Sequence, residues 1–289
     1  MMEQQQDLIS RMNAAYKGMS KGQKLIAEYI INNYDKAAFM TASRLGEKVG
    51  VSESTVVRFA NELNYDGYPR LQKALQELIR NKLTSVQRIE MSQEMDQSAV
   101  LRTVLKADTA NLRHTMEEMD ETIFQQVVEA LLSARKIYVL GLRSSAPLSQ
   151  FLSYYLDFVM DNVVMVTSGL SDMFEQLIRI GPEDVLIGIS FPRYSNRTIE
   201  AMHFARGKGA QTVAITDSRL SPLVGLSDNA LIARSDMASF VDSLVAPMSL
   251  INALIVAISL RRSDQVSEHF KSLEKIWSQY NVYGTRETK

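Results

Sequence analysis

The chain has 289 residues, which is long for one domain and suits two. Apolar residues make up 46% and charged residues 22%, as in an ordinary soluble globular protein, and the absence of cysteine excludes disulfides, thiolate metal sites and cysteine nucleophiles. The net charge of −1 divides into +2 for residues 1–80 (eleven Lys/Arg, nine Asp/Glu), +1 for residues 81–107 (four, three) and −4 for residues 108–289 (seventeen, twenty-one). This distribution permits nucleic-acid binding by the first part of the chain but does not indicate it.

The chain shows no pattern for secretion or membrane insertion. Its first residues, MMEQQQDLIS, lack the basic start and apolar core of a secretory signal. The apolar stretch 245–260 is interrupted by polar residues and Pro247 and is shorter than the ~20 residues of a membrane span, so it reads as a buried helix. We therefore expect a cytoplasmic protein without a membrane partner.

The first part of the chain reads as short helices. Ser20 is a candidate N-cap with Gln23 three residues later, and apolar residues then recur at helical spacing as far as Tyr34. We predict an all-α domain over residues 1–80. Residues 81–107, which are polar and contain neither Pro nor Gly, are predicted to form a linker helix.

Residues 41–63 have the pattern of a helix-turn-helix. Gly50 supplies the tight turn, and Ser52 is a candidate N-cap for the second helix. That helix places apolar residues on one side, and the opposite side carries polar residues able to reach base edges and phosphates: Glu53, Ser54, Thr55, Arg58, Asn61 and Glu62. A helical hairpin used only for dimerisation would also have a polar outer face, and that alternative stays open.

Residues 108–289 predict an α/β domain. Five short apolar runs, 136–140, 162–166, 184–189, 211–215 and 230–233, alternate with segments that suit helices, 147–160, 171–180 and 198–208. Two further helical segments follow at 245–260 and 266–280. Apolar runs alternating with helices are typical of a five-stranded parallel sheet that is covered on both faces.

Hydroxyl side chains follow two of these strands. Ser144 and Ser145 come after the first strand, and Ser190, Ser195 and Thr198 come after the third. Ligands of open parallel sheets bind at the C-terminal ends of strands, and a helix N-terminus with free N–H groups suits an anion such as phosphate. These residues could instead be simple N-caps, but two such loops on adjacent strands favour a shared phosphate site.

The segments 20–30 (SKGQKLIAEYI), 49–59 (VGVSESTVVRF) and 64–72 (NYDGYPRLQ) resemble the N-terminal domain of RpiR-type bacterial regulators. Gly46 departs from the family pattern, which usually has alanine there, but it suits two closely crossing helices. The resemblance implies that the turn 65–68 lies near the DNA backbone. It also implies DNA contacts, with Arg58 as the first candidate, from Lys21, Ser52, Glu53, Ser54, Thr55, Arg58 and Lys73.

Residues 108–261 resemble a SIS domain, the flavodoxin-like fold shared by sugar isomerases and phosphosugar-sensing regulators. The family motif Ser-Gly-x-Thr-x-Glu reads SNRTIE at 195–200, with Asn196 replacing glycine in a turn where asparagine tolerates left-handed backbone. The family usually has one residue between two serines, whereas four residues, 191–194, separate Ser190 from Ser195 here, which brings Arg193 and Arg197 near the site. The implied effector site consists of Ser144, Ser145, Ser190, Arg193, Ser195, Asn196 and Thr198.

The two resemblances, in this order along the chain, imply a transcriptional regulator. It would bind a double-stranded DNA operator, respond to a phosphorylated sugar or amino sugar, and form a homodimer or homotetramer through residues 245–260 and 266–280. We expect it to have no catalytic residues, no cofactor and no metal.

Three alternatives concern the C-terminal domain. A sugar isomerase would need an acid–base pair, for which Glu200 and His203, one helical turn apart, are candidates. A nucleotide-binding protein would need a glycine pattern that Gly141-Leu-Arg-Ser-Ser-Ala lacks. A metalloenzyme would need ligand spacing, and the three histidines, at 114, 203 and 269, are scattered.

Overall fold

The computed structural model describes residues 8–79, 86, 88–89, 97–167, 169, 171–237 and 240–283. The chain divides into two compact units, Met1–Glu94 and Met95–Lys289. Residues 81–85, 87 and 90–96 of the predicted linker helix, 81–107, lie outside the described residues. Its last residues belong to a helix of the second unit, Val100–Glu118. The boundaries predicted for the two domains stay predictions.

The N-terminal unit is helical throughout its described residues, as predicted. Ser20 forms a capping box with Gln23, and Leu45, Phe59 and Leu71 are fully buried in the core. The first helix was not expected from the sequence: it buries Leu8 and Met12, one turn apart. Helices with described bounds are α1 (Leu8–Ala15), α2 (Lys21–Asn32), α3 (Tyr34–Ala37), α4 (Ala42–Val49), α5 (Glu53–Glu62) and α6 (Gly67–Ile79).

The C-terminal unit is an α/β fold around one parallel sheet. In chain order its elements are α7 (Val100–Glu118), α8 (Glu121–Ser133), β1 (Ile137–Gly141), α9 (Ala146–Val159), β2 (Val163–Val166), α10 (Met173–Gln176), β3 (Val185–Ile189), α11 (Asn196–Gly207), β4 (Gln211–Thr216), β5 (Asn229–Ile232), α12 (Val245–Arg261) and α13 (Ser263–Gln279). The strand order is β2-β1-β3-β4-β5, so the predicted five-stranded, flavodoxin-like sheet is confirmed.

Both faces of the sheet are buried, which explains the continuous apolar runs. Residues of one parity, such as Val139 and Ile187, pack in a cluster with α8, α9 and α12. Residues of the other parity, such as Leu140 and Leu186, pack with α11. Because successive side chains of a strand point to opposite faces, a strand covered on both sides must be apolar at every position.

One predicted helix is shorter than expected. The segment 171–180 was predicted to be helical, but the α-helix covers Met173–Gln176. The N–H groups of Ile178 and Ile180 donate to carbonyls three residues back, which continues the segment as tight turns. Gly181 and Pro182 follow directly, so the chain must leave the helical path to enter β3.

None of the helices with described bounds is, by itself, both long and apolar enough to span a membrane. Only α12 and α13 counted together meet that test, and the two are bent by 100° where they join.

Candidate functional site

The turn between α4 and α5 has the geometry of a helix-turn-helix. Gly50 adopts left-handed backbone, with φ of 74°, and ends α4. Gly46 lies against the start of the next helix: a Cβ atom added there would stand 2.7 Å from the carbonyl oxygen of Val51. The predicted roles of both glycines are therefore confirmed, and the two helices cross closely because Gly46 has no side chain.

The second helix, α5, presents the expected polar face. Val56, Phe59 and Ala60 are buried, whereas Ser54 and Arg58 are exposed. Ser52 caps the helix by accepting a hydrogen bond from the backbone N–H of Thr55, and its hydroxyl lies 2.9 Å from the hydroxyls of both Ser54 and Thr55. The first turn of α5 is thus a cluster of exposed hydroxyls and N–H groups at a helix N-terminus, which suits phosphate contact.

Lys21 lies beside this cluster. It is the first residue of α2, its side chain is exposed, and the next residue, Gly22, would place a Cβ 3.3 Å from Val51 and 3.4 Å from Thr55. Lys73 lies on α6 and is half-buried.

Two other polar residues near α5 have structural roles. The side-chain carbonyl of Asn61, predicted to be on the outer face, accepts a hydrogen bond from the backbone N–H of Gly67 at 3.2 Å. Tyr68, in the turn expected near the DNA backbone, is buried, and its hydroxyl donates to the carbonyl of Met40 at 2.8 Å. Burial raises the pKa of Tyr68 to about 12. The hydroxyl of Tyr68 therefore faces the protein, and the place of the turn 65–68 near the DNA backbone stays a prediction.

In the C-terminal unit, the sheet brings the two predicted effector loops together, since β1 and β3 are neighbours. After β1, the chain turns back so tightly that a Cβ at Gly141 would lie 2.6 Å from the carbonyl oxygen of Ser145. Ser145 is buried and Ser144 is exposed. Arg143 adopts left-handed backbone with φ of 56°.

After β3, Ser195 is the N-cap of α11, and its hydroxyl accepts from the N–H of Thr198 at 3.4 Å. Asn196 is the first residue of that helix, so the expectation of a left-handed turn at Asn196 is wrong. The left-handed residue of this loop is Arg193, with φ of 63°.

Thr198 carries an unpartnered hydroxyl in the first turn of α11. Its side chain is fully buried, yet its oxygen finds no hydrogen-bond partner among the described residues. A buried hydroxyl without a partner costs folding free energy, about 1–3 kcal/mol. Such a group at a helix N-terminus points to a polar ligand that completes it.

Two residues expected near the effector are instead held by other groups of the protein. Ser190 is buried, and its hydroxyl accepts a hydrogen bond from the backbone N–H of Ser195 at 3.1 Å, so it stabilises the loop between β3 and α11. The guanidinium of Arg197 pairs with Asp172 and Glu200 and lies over the ring of Phe174. In this structure Arg197 is held by these two carboxylates, and its place near the effector stays a prediction.

Asp172 is stabilised as a carboxylate. A hydrogen bond from the backbone N–H of Phe174 lowers its pKa, and Arg197 lowers it further by charge and by hydrogen bonding. Asp172 thus caps α10 and also holds the guanidinium of Arg197.

A second polar network surrounds the long loop and was missed in the sequence. Tyr194 donates to the buried carboxylate of Asp217 at 2.9 Å. Thr216 donates to the carbonyl of Ser190 at 2.8 Å and lies 2.8 Å from the hydroxyl of Ser221. Thr216 and Asp217 stand at the end of β4, so the rule that ligand sites gather at strand ends could have singled them out.

The acid–base candidates are not arranged as an active site. Glu200 is exposed and pairs with Arg197, and His203 is exposed on α11. Within the described residues, no group of three or more His, Cys, Asp or Glu side chains could hold a metal ion.

Comparison with known proteins assigns both units. The profile of the helix-turn-helix domain of the rpiR family matches residues 6–82, and the profile of the SIS domain matches residues 130–257. The HTH-type transcriptional regulator HexR of Pseudomonas aeruginosa is 23% identical over 276 residues, which is 93% of this chain and 95% of HexR.

Two solved structures share the fold. The sugar isomerase domain of an RpiR transcription factor from Sphaerobacter thermophilus is 26% identical and superposes with a TM-score of 0.59, covering 61% of this chain and 99% of that domain. The NanR protein of Vibrio vulnificus, solved with ManNAc-6P, is 20% identical with a TM-score of 0.58 and covers 96% of this chain and 100% of NanR. With its helix-turn-helix unit followed by a SIS sheet, the chain belongs to the RpiR-type family of transcriptional regulators.

Proposed function

We propose that this regulator binds operator DNA through α5 and adjusts that binding in response to a phosphorylated sugar or amino sugar held between the β1 and β3 loops. The observation that carries the effector half is Thr198. Its fully buried hydroxyl lacks a partner in the described structure, at the N-terminus of a helix that faces a second hydroxyl loop.

The chemistry of this site favours a phosphoryl group. Ser144, Ser145, Ser195 and Thr198 offer hydroxyls, and the first turn of α11 offers backbone N–H groups with the positive end of a helix dipole. Arg193 is exposed at the tip of the same loop, and Asn196 is exposed in the first turn of α11. NanR, similar in fold, is solved with a phosphorylated amino sugar, which supports this ligand class.

The DNA half rests on the face of α5. Arg58, Ser54 and Glu53 are exposed on the side opposite the core. Arg58 lies within reach of base edges if α5 enters the major groove, while Ser52, Thr55 and Lys21 serve the phosphates. Lys73 is assigned to the phosphate backbone by resemblance. Acting on chromosomal DNA, the protein would be cytoplasmic.

A homo-oligomer would present two α5 helices to successive major grooves, ~34 Å apart or a multiple of it. Two helices of the C-terminal unit offer surface for such an assembly. On α12, Val256 and Leu260 are exposed, and α13 has no buried residue.

An isomerase is the rival function, and the structure favours it less. Glu200 forms an ion pair with Arg197, and His203 is exposed. An acid–base group of an enzyme is usually placed in a site that is closed to water. We therefore propose that the protein is not an enzyme. Turnover of sugar phosphates by the full chain would contradict this.

The effector assignment is tested by thermal shift with ManNAc-6-phosphate, glucosamine 6-phosphate, fructose 6-phosphate, ribose 5-phosphate and inorganic phosphate. A binder raises apparent stability with concentration. Ser195→Ala should abolish the shift and leave DNA affinity unchanged. Ser133→Ala, in which a serine at the end of α8 is replaced, is the matched control. Loss of both activities in Ser195→Ala would contradict the division of roles.

The alternative of a dimerisation module is tested by salt. Affinity for duplexes selected in vitro should fall steeply between 50 and 200 mM salt, on the order of 10³-fold for six or more phosphate contacts. A flat response would favour the dimerisation module.

A further inference from the structure

Helix α7, the first long helix of the C-terminal unit, is hydrogen-bonded along one face to the segment that follows β5. Asn111 exchanges two hydrogen bonds with the backbone of Asp236, at 2.9 and 3.1 Å. Thr115 accepts from the backbone N–H of Arg234 at 2.8 Å, and the guanidinium of Arg234 binds both carboxylate oxygens of Glu118, at 2.8 and 2.7 Å. The spacing 111, 115, 118 keeps these groups on one side of the helix.

The same face extends toward the start of the helix. Ser243, just before α12, donates to the carboxylate of Asp108 at 2.6 Å. Asn111 and Thr115 are buried, so these bonds are shielded from water. Because a buried polar group that loses its partner is left unsatisfied, separating the two segments would cost about 1–3 kcal/mol for each such group, which favours their moving together.

The segment after β5 is in turn connected to the effector loop. The path runs through four hydrogen bonds. The N–H of Ser195 donates to the hydroxyl of Ser190 at 3.1 Å, and the hydroxyl of Thr216 donates to the carbonyl of Ser190 at 2.8 Å. The N–H of Ala233 donates to the carbonyl of Thr216 at 2.8 Å. The next residue along the chain, Arg234, donates to Thr115.

All the inner members of this path are buried. Ser190 is 3% exposed, and Thr216 and Ala233 are fully buried. The path therefore leads from the N-cap of the proposed phosphate-binding helix to the middle of α7, through directional bonds. Helix α7 is the first long helix after the N-terminal unit in the sequence, and a helix carries a displacement along its length as one rigid element.

We propose that this hydrogen-bonded path, with the Arg234–Glu118 pair, couples occupancy of the effector site to α7 and so to DNA binding. The inference rests on the proposed function and adds the route by which the effector acts. The states with and without effector would differ in the positions of Ser195 and Ser190. This difference would then move Thr216, the segment after β5 and finally α7. Coupling of this kind typically changes affinity 5–150-fold.

The test measures the affinity of the full chain for a duplex selected in vitro, with and without each sugar phosphate of the thermal-shift panel. Thr115→Val removes the acceptor for the N–H of Arg234 while keeping the shape of the side chain. Thr109→Val is the matched control, because Thr109 is exposed on the same helix and its hydroxyl bonds only within it, to the carbonyl of Leu105.

A second pair of variants tests the same path if Thr115→Val does not fold. Arg234→Ala breaks the pair with Glu118. Arg261→Ala, which breaks a comparable pair with Glu129 between α12 and α8, is its control. We expect the wild type and both controls to change DNA affinity about 10-fold with the active sugar phosphate, and both path variants to change it less than about 2-fold.

The affinity of each variant for the sugar phosphate, measured in the absence of DNA, distinguishes loss of coupling from loss of effector binding. The path variants should bind the sugar phosphate within about 2-fold of the wild-type Kd, because they touch neither loop. A full DNA response in Thr115→Val and Arg234→Ala overturns the coupling role and leaves the proposed function intact. Loss of sugar phosphate binding in both variants also overturns it. A wild type that responds to no compound overturns the proposed function and the coupling role together.

Discussion

Replacing the hydroxyl of Thr198 with a methyl group should stabilise the ligand-free protein and abolish its response to effector. Thr198 is fully buried, and its oxygen has no partner among the described residues. Thr198→Val therefore removes an uncompensated polar group that costs about 1–3 kcal/mol. For the C-terminal unit of 195 residues, Met95–Lys289, a gain of about 1–2 kcal/mol raises Tm by roughly 2–6 °C.

The matched control is Thr212→Val, the same substitution at another fully buried threonine. There the hydroxyl donates to the carbonyl of Leu226 at 2.9 Å and lies 3.1 Å from a carboxylate oxygen of Asp228. Its loss leaves the fully buried side chain without its hydrogen bond to the half-buried carbonyl of Leu226, so stability should fall by about 1 kcal/mol. The two variants differ in sign because of their partners alone.

Unfolding of the C-terminal unit can be followed by the fluorescence of Trp277, the single tryptophan of the chain, which contacts Phe158 of α9. Each variant is heated with and without the active sugar phosphate. A lower Tm for Thr198→Val in the absence of ligand, or a ligand-induced shift equal to that of the wild type, would refute the reasoning.

Three further predictions concern the N-terminal unit. Arg58→Ala should weaken binding to the selected duplex by about 1–3 kcal/mol and relax sequence preference. Lys21→Ala should instead weaken binding to all duplexes alike and reduce the slope of log K against log salt by about 1. Equal effects of the two variants on sequence preference would contradict the assignment. Gly46→Ala should destabilise the unit by about 1–3 kcal/mol in urea, because the new Cβ meets a backbone oxygen at 2.7 Å, whereas Gly18→Ala has no atom within 4 Å and should not. Tyr68 is neutral in the folded state up to a pKa of about 12, above its ordinary value of 10, so the stability it contributes is complete below pH 10 and is lost as the pH rises toward 12. An alkaline titration by circular dichroism should show this loss, and Tyr68→Phe should flatten it; an unchanged alkaline slope would contradict the cause.

Local patterns in the sequence were sufficient to predict most helices and all five strands of the fold. Strands covered on both faces are mostly apolar, and Ser52 and Gly50 mark a helix start and a helix end by local chemistry that needs no tertiary contact. The first helix was missed because its pattern, Leu8 and Met12, is too short to distinguish from a loop.

Roles that depend on distant partners could not be predicted. Arg193 and Arg197 are four residues apart and have similar sequence contexts. Asp172, twenty-five residues from Arg197, forms an ion pair with Arg197, and nothing local in the sequence indicates that pair. Asn61 is exposed, as predicted, but its hydrogen bond with the N–H of Gly67 was not predicted, because the helical period of α5 says nothing of the segment that follows. The bonds of α7 to residues 234 and 236 span more than 115 positions, and no local pattern records them.

The two arginines in left-handed backbone have an electrostatic consequence. A side chain with a Cβ in this conformation costs roughly 1–2 kcal/mol that glycine would not. Arg143 and Arg193 each stand in it, one at the tip of either loop, and both are exposed. If the proposed effector binds between these loops, positive charge beside it would speed the arrival of a dianion, so the rate of ligand capture should drop with ionic strength while the rate of escape changes little.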